Sequence, residues 1–144
     1  MFQIKEISAK ETYAIRLETL RKGIDLPVEF SGDFDESTFH LGAFENDNLV
    51  GIASFMKTNN SLFSEEQYQL RGMATLPIVR GKGYGMAILH KAFEELKRKK
   101  IPILWCNARV VALDFYQKLG FEIIGKPFDL PQIGTHYKMY KKIN

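Results

Sequence analysis

Three glycines at every second position mark the stretch of this sequence that is best suited to bind an anion. Arg80 is followed by Gly81, Gly83 and Gly85, and an amphipathic helix is predicted to begin there. Glycine adopts positive φ angles and leaves the main chain uncovered, so a bulky anion can approach the first amides of a helix, which have no intrahelical partner. The helix dipole favours negative charge at the same point. The sequence therefore predicts a loop that binds the diphosphate of a cofactor.

The segments around this loop predict an α/β (α+β) fold in the order β α loop β β β α β α β β, because alternating and helical apolar periodicities succeed one another. We expect one mixed sheet of six or seven strands with helices on both faces. The predicted strands are 2–7, 38–44, 49–57, 67–76, 101–106, 121–125 and 135–142. The predicted helices are 9–21, a long helix from the glycine loop to about residue 100, and 108–119.

Local signals refine two of these elements. Ser8 and Glu11 have the spacing of a capping box at the start of the first helix. Alternation in strand 67–76 slips by one residue around Gly72, and a glycine at such a slip suggests a β-bulge.

The predicted topology places the glycine loop at a ligand-binding edge. Strand 67–76, the long helix and strand 101–106 predict a right-handed parallel crossover. Loops 75–85 and 107–109 would then follow the carboxyl ends of neighbouring parallel strands, where α/β sheets characteristically bind ligands.

The composition limits the class of protein. The 144 residues are 45% hydrophobic, and we expect one domain spanning residues 1–144. A formal net charge of +3, with basic residues spread along the chain, does not favour nucleic acid as a partner. The sequence has no signal-peptide pattern and no apolar run of about 18 residues. It has a single cysteine, Cys106. We therefore expect a cytoplasmic protein without a membrane partner or an intrachain disulfide.

At this point the sequence resembles the GNAT N-acetyltransferase superfamily in two motifs, an Arg/Gln-x-x-Gly-x-Gly/Ala loop and the family's last helix with its following strand. The matching positions are Arg80, Gly83 and Gly85 in the first motif, and Asn107, Ala112, Phe115, Tyr116, Gly120 and Phe121 in the second. The similarity spans about residues 38–142. It implies a splayed pair of parallel strands, acetyl-CoA as acyl donor without a metal, and direct acetyl transfer to a primary amine of a small molecule or peptide.

The resemblance also implies which residues contact acetyl-CoA. The backbone of residues 73–75 would pair with the pantetheine arm like an added strand, and the amides of residues 81–86 would bind the pyrophosphate. Arg80 and Lys82 could add charge, although Arg80 could equally anchor the loop. Asn107 could bind the pantetheine amides, or only cap the helix predicted to follow it. The implied cofactor-binding set is Met73, Ala74, Thr75, Arg80, Gly81, Lys82, Gly83, Tyr84, Gly85, Met86, Asn107 and Tyr116.

Tyr116 is the proton donor that the resemblance implies. From its pattern alone it is one more aromatic side chain on a core-facing stripe. It lies about two turns into its predicted helix, roughly 10 Å from the start, so it can reach beyond the phosphates toward the thioester. We expect its hydroxyl to protonate the departing CoA thiolate.

The sequence does not identify the residue that deprotonates the amine. Many relatives carry a carboxylate on the strand before the glycine loop. Here the central positions of that strand are Gln67, Gln69 and Arg71, while Glu65 and Glu66 lie at its beginning. His136 on the last strand is the outside candidate for a catalytic role, ahead of His40, although a strand histidine is more often a packed or surface residue.

Other mechanisms and folds fit less well. Cys106 could carry an acetyl group, but no His or Asp spacing supports an activated thiol and its segment looks buried. A dinucleotide-binding fingerprint fails because Met86 occupies the third glycine position, and a P-loop fails because no Gly-Lys-Ser/Thr ends the loop. The alternative function is a catalytically silent acyl-CoA-binding or sensing module.

The acceptor pocket is expected to come from residues 20–40, the last hairpin and, in a homodimer, a partner subunit. Asp33, Asp35 and Glu36 could recruit a cationic amine, although acidic loop residues are usually only solvated. The sequence leaves the identity of the amine open.

Overall fold

The computed structural model of the chain describes residues 2–144, which form a mixed α/β fold around one eight-stranded sheet. The strands are β1 (Phe2–Ile7), β2 (Phe39–Glu45), β3 (Asn48–Met56), β4 (Gln67–Thr75), β5 (Ile103–Arg109), β6 (Glu122–Ile123), β7 (Phe128–Leu130) and β8 (Gly134–Lys142). The helices are α1 (Tyr13–Ile15), α2 (Tyr84–Arg98) and α3 (Leu113–Lys118). The sheet exceeds the expected six or seven strands because the short strand β7, which lies outside the seven predicted strand segments, pairs with β8.

The sheet order is β1-β2-β3-β4-β5-β8-β6, with β7 beside β8. β4 and β5 are parallel, as predicted for the crossover through α2, and the other pairs are antiparallel. One face of the sheet is covered by the buried side of α2, and the other by a smaller cluster that includes Ile15, Ile52 and Ala74. Within residues 2–144, no helix is long and apolar enough to cross a bilayer.

The β2–β3 hairpin turns in two residues rather than the predicted four. Glu45 and Asn48 pair with each other, and Asn46 and Asp47 have φ angles of 50° and 71°. Left-handed conformations at both central positions match the twist of the flanking strands, so the turn closes tightly.

The first helical segment is not the single helix predicted over residues 9–21. A 3₁₀ turn at Lys10–Thr12 leads into α1, and a π-helical turn follows at Arg16–Leu20. Threonine side chains compete for the backbone carbonyls, since Thr12 Oγ1 donates to Ala9 O and Thr19 Oγ1 to Ile15 O, both at 2.6 Å. The capping box is confirmed, because Ser8 N–H donates to Glu11 Oε1 at 2.8 Å and Glu11 N–H to Ser8 Oγ at 3.2 Å.

β5 is longer, and the helix after it begins later, than the sequence predicts. Asn107, Ala108 and Arg109 continue the antiparallel ladder with β8 instead of starting a helix. A 3₁₀ turn at Val110–Ala112 then leads into α3. Pairing with β8 therefore overrides the local helical pattern, and Asn107 lies inside a strand rather than at a helix cap.

Candidate active site

The glycine loop joins the 3₁₀ turn Pro77–Val79 to α2, and its glycines serve two different purposes. Gly81 and Gly83 have φ angles of 84° and 87°, and a Cβ at either position would meet no atom within 4 Å. They are needed for their left-handed backbone. Gly85 is needed for close packing, because a Cβ there would lie 3.2 Å from Phe115 Cζ and 3.3 Å from Met73 Cε.

The free amides of this loop are concentrated at the first turn of α2. The first helical hydrogen bond runs from Ala87 N–H to Gly83 O at 3.1 Å, so the preceding helical amides of Tyr84, Gly85 and Met86 have no intrahelical acceptor. The amide of Lys82 is already used, donating to Val79 O at 3.2 Å. Of the amides predicted to bind an anion, that of Lys82 is therefore not free to do so.

Glu45 at the end of β2 fastens the glycine loop to the sheet. Its Oε2 accepts a hydrogen bond from Tyr84 Oη at 2.6 Å and forms an ion pair with Lys82 Nζ at 3.2 Å. These donors lower the pKa of Glu45, while the same hydrogen bond raises the pKa of Tyr84. Arg80 is exposed and forms no ion pair within residues 2–144. It is thus the freer of the two cations of the loop.

A cleft of about 380 Å³ lies over this loop. Its walls come from the end of β4, the loop, the first turn of α2 and Phe115 of α3. The lining residues on the loop side are Thr75, Arg80, Gly81, Gly83, Gly85 and Met86.

The parallel strands β4 and β5 separate halfway along their length. They pair from Gln67 with Ile103 to Leu70 with Cys106, and then β4 continues with β3 alone while β5 continues with β8. The predicted bulge lies at this point, where Gly72 has a φ angle of 64° and the register with β3 shifts. A Cβ at Gly72 would lie 2.9 Å from Phe30 Cε2. The second half of β4 therefore has one unpaired edge.

A larger cleft, of about 430 Å³, opens between the separated strands. Residues from segments 20–30 and 130–136 also line it. Met73 and Tyr116 line this cleft, while Phe115, beside Tyr116 in sequence, lines the smaller cleft over the loop. The two clefts are therefore neighbours that meet at α3 and the second half of β4.

Comparison with known proteins decides the family. The family model described as the Acetyltransferase (GNAT) family matches residues 4–121. The chain belongs to the GNAT family. A Bacillus subtilis (strain 168) protein named as an uncharacterized N-acetyltransferase, YitI, is 39% identical over 145 residues, covering 99% of this chain and 97% of the relative. This chain is accordingly an acyltransferase enzyme of the GNAT N-acetyltransferase class.

Solved structures support the GNAT fold at much lower identity. An aminoglycoside 6′-N-acetyltransferase complexed with coenzyme A superimposes with a TM-score of 0.80 at 13% identity, covering 99% of this chain and 97% of that one. The ribosomal-protein-S18-alanine N-acetyltransferase of Escherichia coli gives a TM-score of 0.79 at 18% identity, covering 100% and 95%. At such identities the likeness shows the architecture only.

Tyr116 of this GNAT chain lies in the larger cleft with its hydroxyl unengaged. It is the fourth residue of α3, one turn in rather than the predicted two, because β5 takes the residues assigned to the helix start. Its ring packs against Phe115 and Phe121 at centroid distances of 5.1 and 5.2 Å. Within residues 2–144, no hydrogen bond involves its hydroxyl. Burial raises the pKa of Tyr116 well above its ordinary value, so the hydroxyl stays protonated at neutral pH.

His136 lines the same cleft as Tyr116 and is buried. Its Nδ1 donates to Gly134 O at 2.8 Å, which leaves the lone pair on Nε2 in the neutral ring. Phe128 stacks on the ring at a centroid distance of 6.0 Å. The imidazole is thus held in one orientation with one nitrogen able to accept a proton.

Asn107 lies at the edge of the larger cleft, on β5. The helix-cap interpretation is wrong, since the ladder with β8 includes this residue. Its Oδ1 accepts a hydrogen bond from Lys138 Nζ at 2.9 Å. Burial lowers the pKa of Lys138. The Asn107 side chain is therefore oriented by the neighbouring strand.

Several other candidates from the sequence have structural surroundings that exclude them from the catalytic roles considered for them. Both ring nitrogens of His40 are engaged, Nδ1 with Ser54 Oγ at 2.7 Å and Nε2 with Asp33 O at 3.0 Å. Cys106 is buried, and burial raises its thiol pKa to about 12. The exposed Glu65 and Glu66 do not line the larger cleft.

Asp33 is neither solvated nor free to recruit a cation. It is buried and forms a bidentate ion pair with Arg16, with Nη1–Oδ2 at 2.7 Å and Nη2–Oδ1 at 2.9 Å. Burial alone would raise the pKa of Asp33, but hydrogen bonds from Arg16 and from the Phe30 amide outweigh it and lower the pKa. No feature of the sequence pattern indicated that Arg16 and Asp33 pair.

Three cations of the larger cleft are not indicated by the sequence. Arg21, Arg71 and Arg109 line it, each from a different element. The convergence of the three depends on tertiary folding, and spacing in the sequence does not indicate it.

Proposed function

We propose that the chain moves an acetyl group from acetyl-CoA directly to a primary amine of a small molecule or peptide. The observation that carries this proposal is the unengaged hydroxyl of Tyr116 in the gap between β4 and β5. The ring of Tyr116 is buried, but its hydroxyl is not among the sealed polar atoms of the described residues that lack a partner, so it reaches the open cleft. A substrate atom bound there can accept its hydrogen bond.

The donor fits the two adjoining clefts. The amides of Tyr84, Gly85 and Met86, together with Gly81, Gly83 and the free guanidinium of Arg80, suit a diphosphate. Lys82 contributes charge from its side chain while remaining near Glu45. The unpaired edge of residues 73–75 can hydrogen-bond an extended amide chain, with Asn107 on the facing strand. Pantetheine is such a chain.

Acetyl-CoA supplies a thioester whose carbonyl carbon accepts the amine nitrogen and whose sulfur leaves with the electrons of the C–S bond. Tyr116 holds a proton at Oη for that sulfur and regains one from solvent. The amine must be neutral to attack. His136 can take the proton from its ammonium form at Nε2, directly or through water.

The proposal is tested by incubating the purified chain with acetyl-CoA and a panel of primary amines while recording thiol release. Release that depends on an amine, with acetylated amine in the products, supports direct transfer. CoA binding by calorimetry without turnover on any amine would instead indicate a silent acyl-CoA-binding module.

Gly83→Val should abolish CoA binding, because valine disfavours the φ angle of 87° at this position. In the same assay, His136→Gln should lower kcat without weakening CoA binding; an unchanged kcat would assign deprotonation to water.

A further inference from the structure

The larger cleft has an unusual charge for a site that receives an amine. Three guanidinium groups line it, from Arg21, Arg71 and Arg109, and His136 adds an imidazole. No Asp or Glu is among the lining residues in the described part of the chain. A cleft built to attract a polycationic amine would be expected to carry carboxylates.

Three arginines surround a single aromatic ring at one end of this cleft. The guanidinium carbons of Arg16, Arg71 and Arg21 lie 3.8, 4.6 and 5.2 Å from the centroid of the Phe30 ring. The carboxylate of Asp33 is buried in its bidentate pair with Arg16. Because the single negative charge of Asp33 balances that of Arg16, the positive charges of Arg21 and Arg71 are left uncompensated.

The remaining two arginines are held in place but not neutralised. Arg21 donates from Nε to Pro27 O at 3.0 Å and from Nη1 to Leu20 O at 3.2 Å, and both acceptors are uncharged. Arg71 makes only long contacts, from Nη1 to Ser31 O at 3.5 Å and to Met56 Sδ at 3.9 Å. Within residues 2–144, neither forms an ion pair. Both therefore keep guanidinium donors for a ligand.

The electrostatic potential at this end of the cleft is positive, as the cluster of arginines around Phe30 predicts. Burial, followed by the nearby charge of Arg16, lowers the pKa of both Arg21 and Arg71. Arg109 is exposed at the end of β5 and also forms no ion pair within the described residues. Positive potential thus comes from more than one wall of the cleft.

We propose that the acceptor is an amine that also carries an anionic group, a carboxylate or a phosphate, and that Arg71 and Arg21 bind this group while Arg109 assists. This inference rests on the proposed function and names the acceptor class for it. The planar guanidinium matches both anions in bidentate geometry. The same cations disfavour the ammonium form of the reacting amine, which promotes the neutral form needed for attack. Polyamines and other polycations are expected to be poor acceptors.

The test uses matched pairs of amines with the purified chain and saturating acetyl-CoA. Phenylalanine is compared with its methyl ester, O-phosphoethanolamine with ethanolamine, and spermidine serves as the polycation. At least one anionic amine should have a KM about ten-fold or more below that of the matched amine that lacks the anionic group. Added salt should reduce this difference in KM. The pair with the larger difference identifies carboxylate or phosphate as the anion.

Failure of this inference and failure of acetyl transfer give different results. Equal or better use of both the ester and ethanolamine than of their anionic partners, or preferred use of spermidine, would overturn the anionic acceptor while leaving transfer intact. If no amine is acetylated, the proposed acetyl transfer is contradicted. Calorimetry of the same amines with CoA-saturated protein then tests separately whether the cleft prefers anionic amines. Selective binding of the anionic members would support it, and the absence of such selectivity would overturn it.

Variants assign the effect to the arginines. Arg71→Gln and Arg21→Gln should each raise KM for the preferred anionic amine by about ten-fold, with little change for its neutral partner or for acetyl-CoA affinity, and Arg109→Gln should have a smaller effect of the same kind. Arg71→Lys should recover part of the loss, since charge is kept but bidentate geometry is not. Arg98→Gln is the control, because this exposed arginine pairs with Glu95 on α2. An equal loss for both members of a pair in the cleft variants would contradict anion binding.

Discussion

Hydrogen-bond partners separate the polar side chains that can act on a ligand from those that hold the fold. Tyr68 and Tyr84 are buried like Tyr116, but their hydroxyls donate to a backbone carbonyl at 2.8 Å and to a carboxylate at 2.6 Å. His40 uses both ring nitrogens, whereas His136 uses only Nδ1. Residue type alone does not distinguish these cases. The partners become visible only when the chain is folded, which is why Tyr116 required a family resemblance to be singled out.

Cys106 should be unreactive while the chain is folded. Burial raises its thiol pKa from an ordinary 9.0 to about 12, so almost no thiolate exists at pH 8. N-ethylmaleimide should modify the protein only after unfolding in urea, and intact mass should show no acetyl group on the protein after incubation with acetyl-CoA. Rapid modification of the folded chain, or a mass increase of one acetyl group, would contradict this.

The raised pKa of Cys106 also has a consequence for stability. Above pH 9 the unfolded chain loses the thiol proton while the folded chain retains it, so this residue lowers the free energy of unfolding as pH rises from about 9 toward about 12.

At the scale of elements, the irregular segment before β2 is held by one buried network. Arg16 binds Asp33 through two hydrogen bonds, and its Nη2 also donates to Ser54 Oγ at 2.8 Å. Ser54 Oγ in turn lies 2.7 Å from His40 Nδ1. The network joins the π-helical turn, the loop before β2, and strands β2 and β3. It thereby fixes Phe30, whose ring Arg21 and Arg71 of the cleft both approach.

Asp33→Asn should destabilise the fold strongly. Removing one partner of a buried ion pair leaves the other charge uncompensated, which costs about 3–5 kcal/mol. The measurement is urea unfolding at pH 7, with exposed Asp35→Asn as a control expected to change stability by about 0.5 kcal/mol or less. Because the pKa of Asp33 is lowered, the stabilisation is present above its unfolded pKa and is lost as pH falls through the folded value. Similar unfolding free energies for the two variants would contradict the role of the pair.

At the scale of the whole molecule, local patterns predicted the elements and the site edge, and long-range pairing decided the rest. Three features could be predicted from the sequence because their causes lie within a few residues: the glycine loop, the capping box at Ser8 and the bulge at Gly72. The end of β5 was not, since Asn107 to Arg109 join β8, about thirty residues later in the chain. The pairing of Arg16 with Asp33 and the convergence of cleft arginines were equally hidden. The acceptor recognition proposed above depends on these long-range features, so the sequence alone left the acceptor open.

If Tyr116 serves acetyl transfer in the cleft between β4 and β5, Tyr116→Phe should impair turnover without weakening acetyl-CoA binding. kcat with a saturating amine and Kd for acetyl-CoA are measured in this variant and in Tyr68→Phe, a buried control whose hydroxyl bonds Ser37 O outside the cleft. Loss of a positioned proton donor should lower kcat by about 100-fold or more, with Kd unchanged, while the control keeps its kcat. Full kcat in Tyr116→Phe would contradict the account.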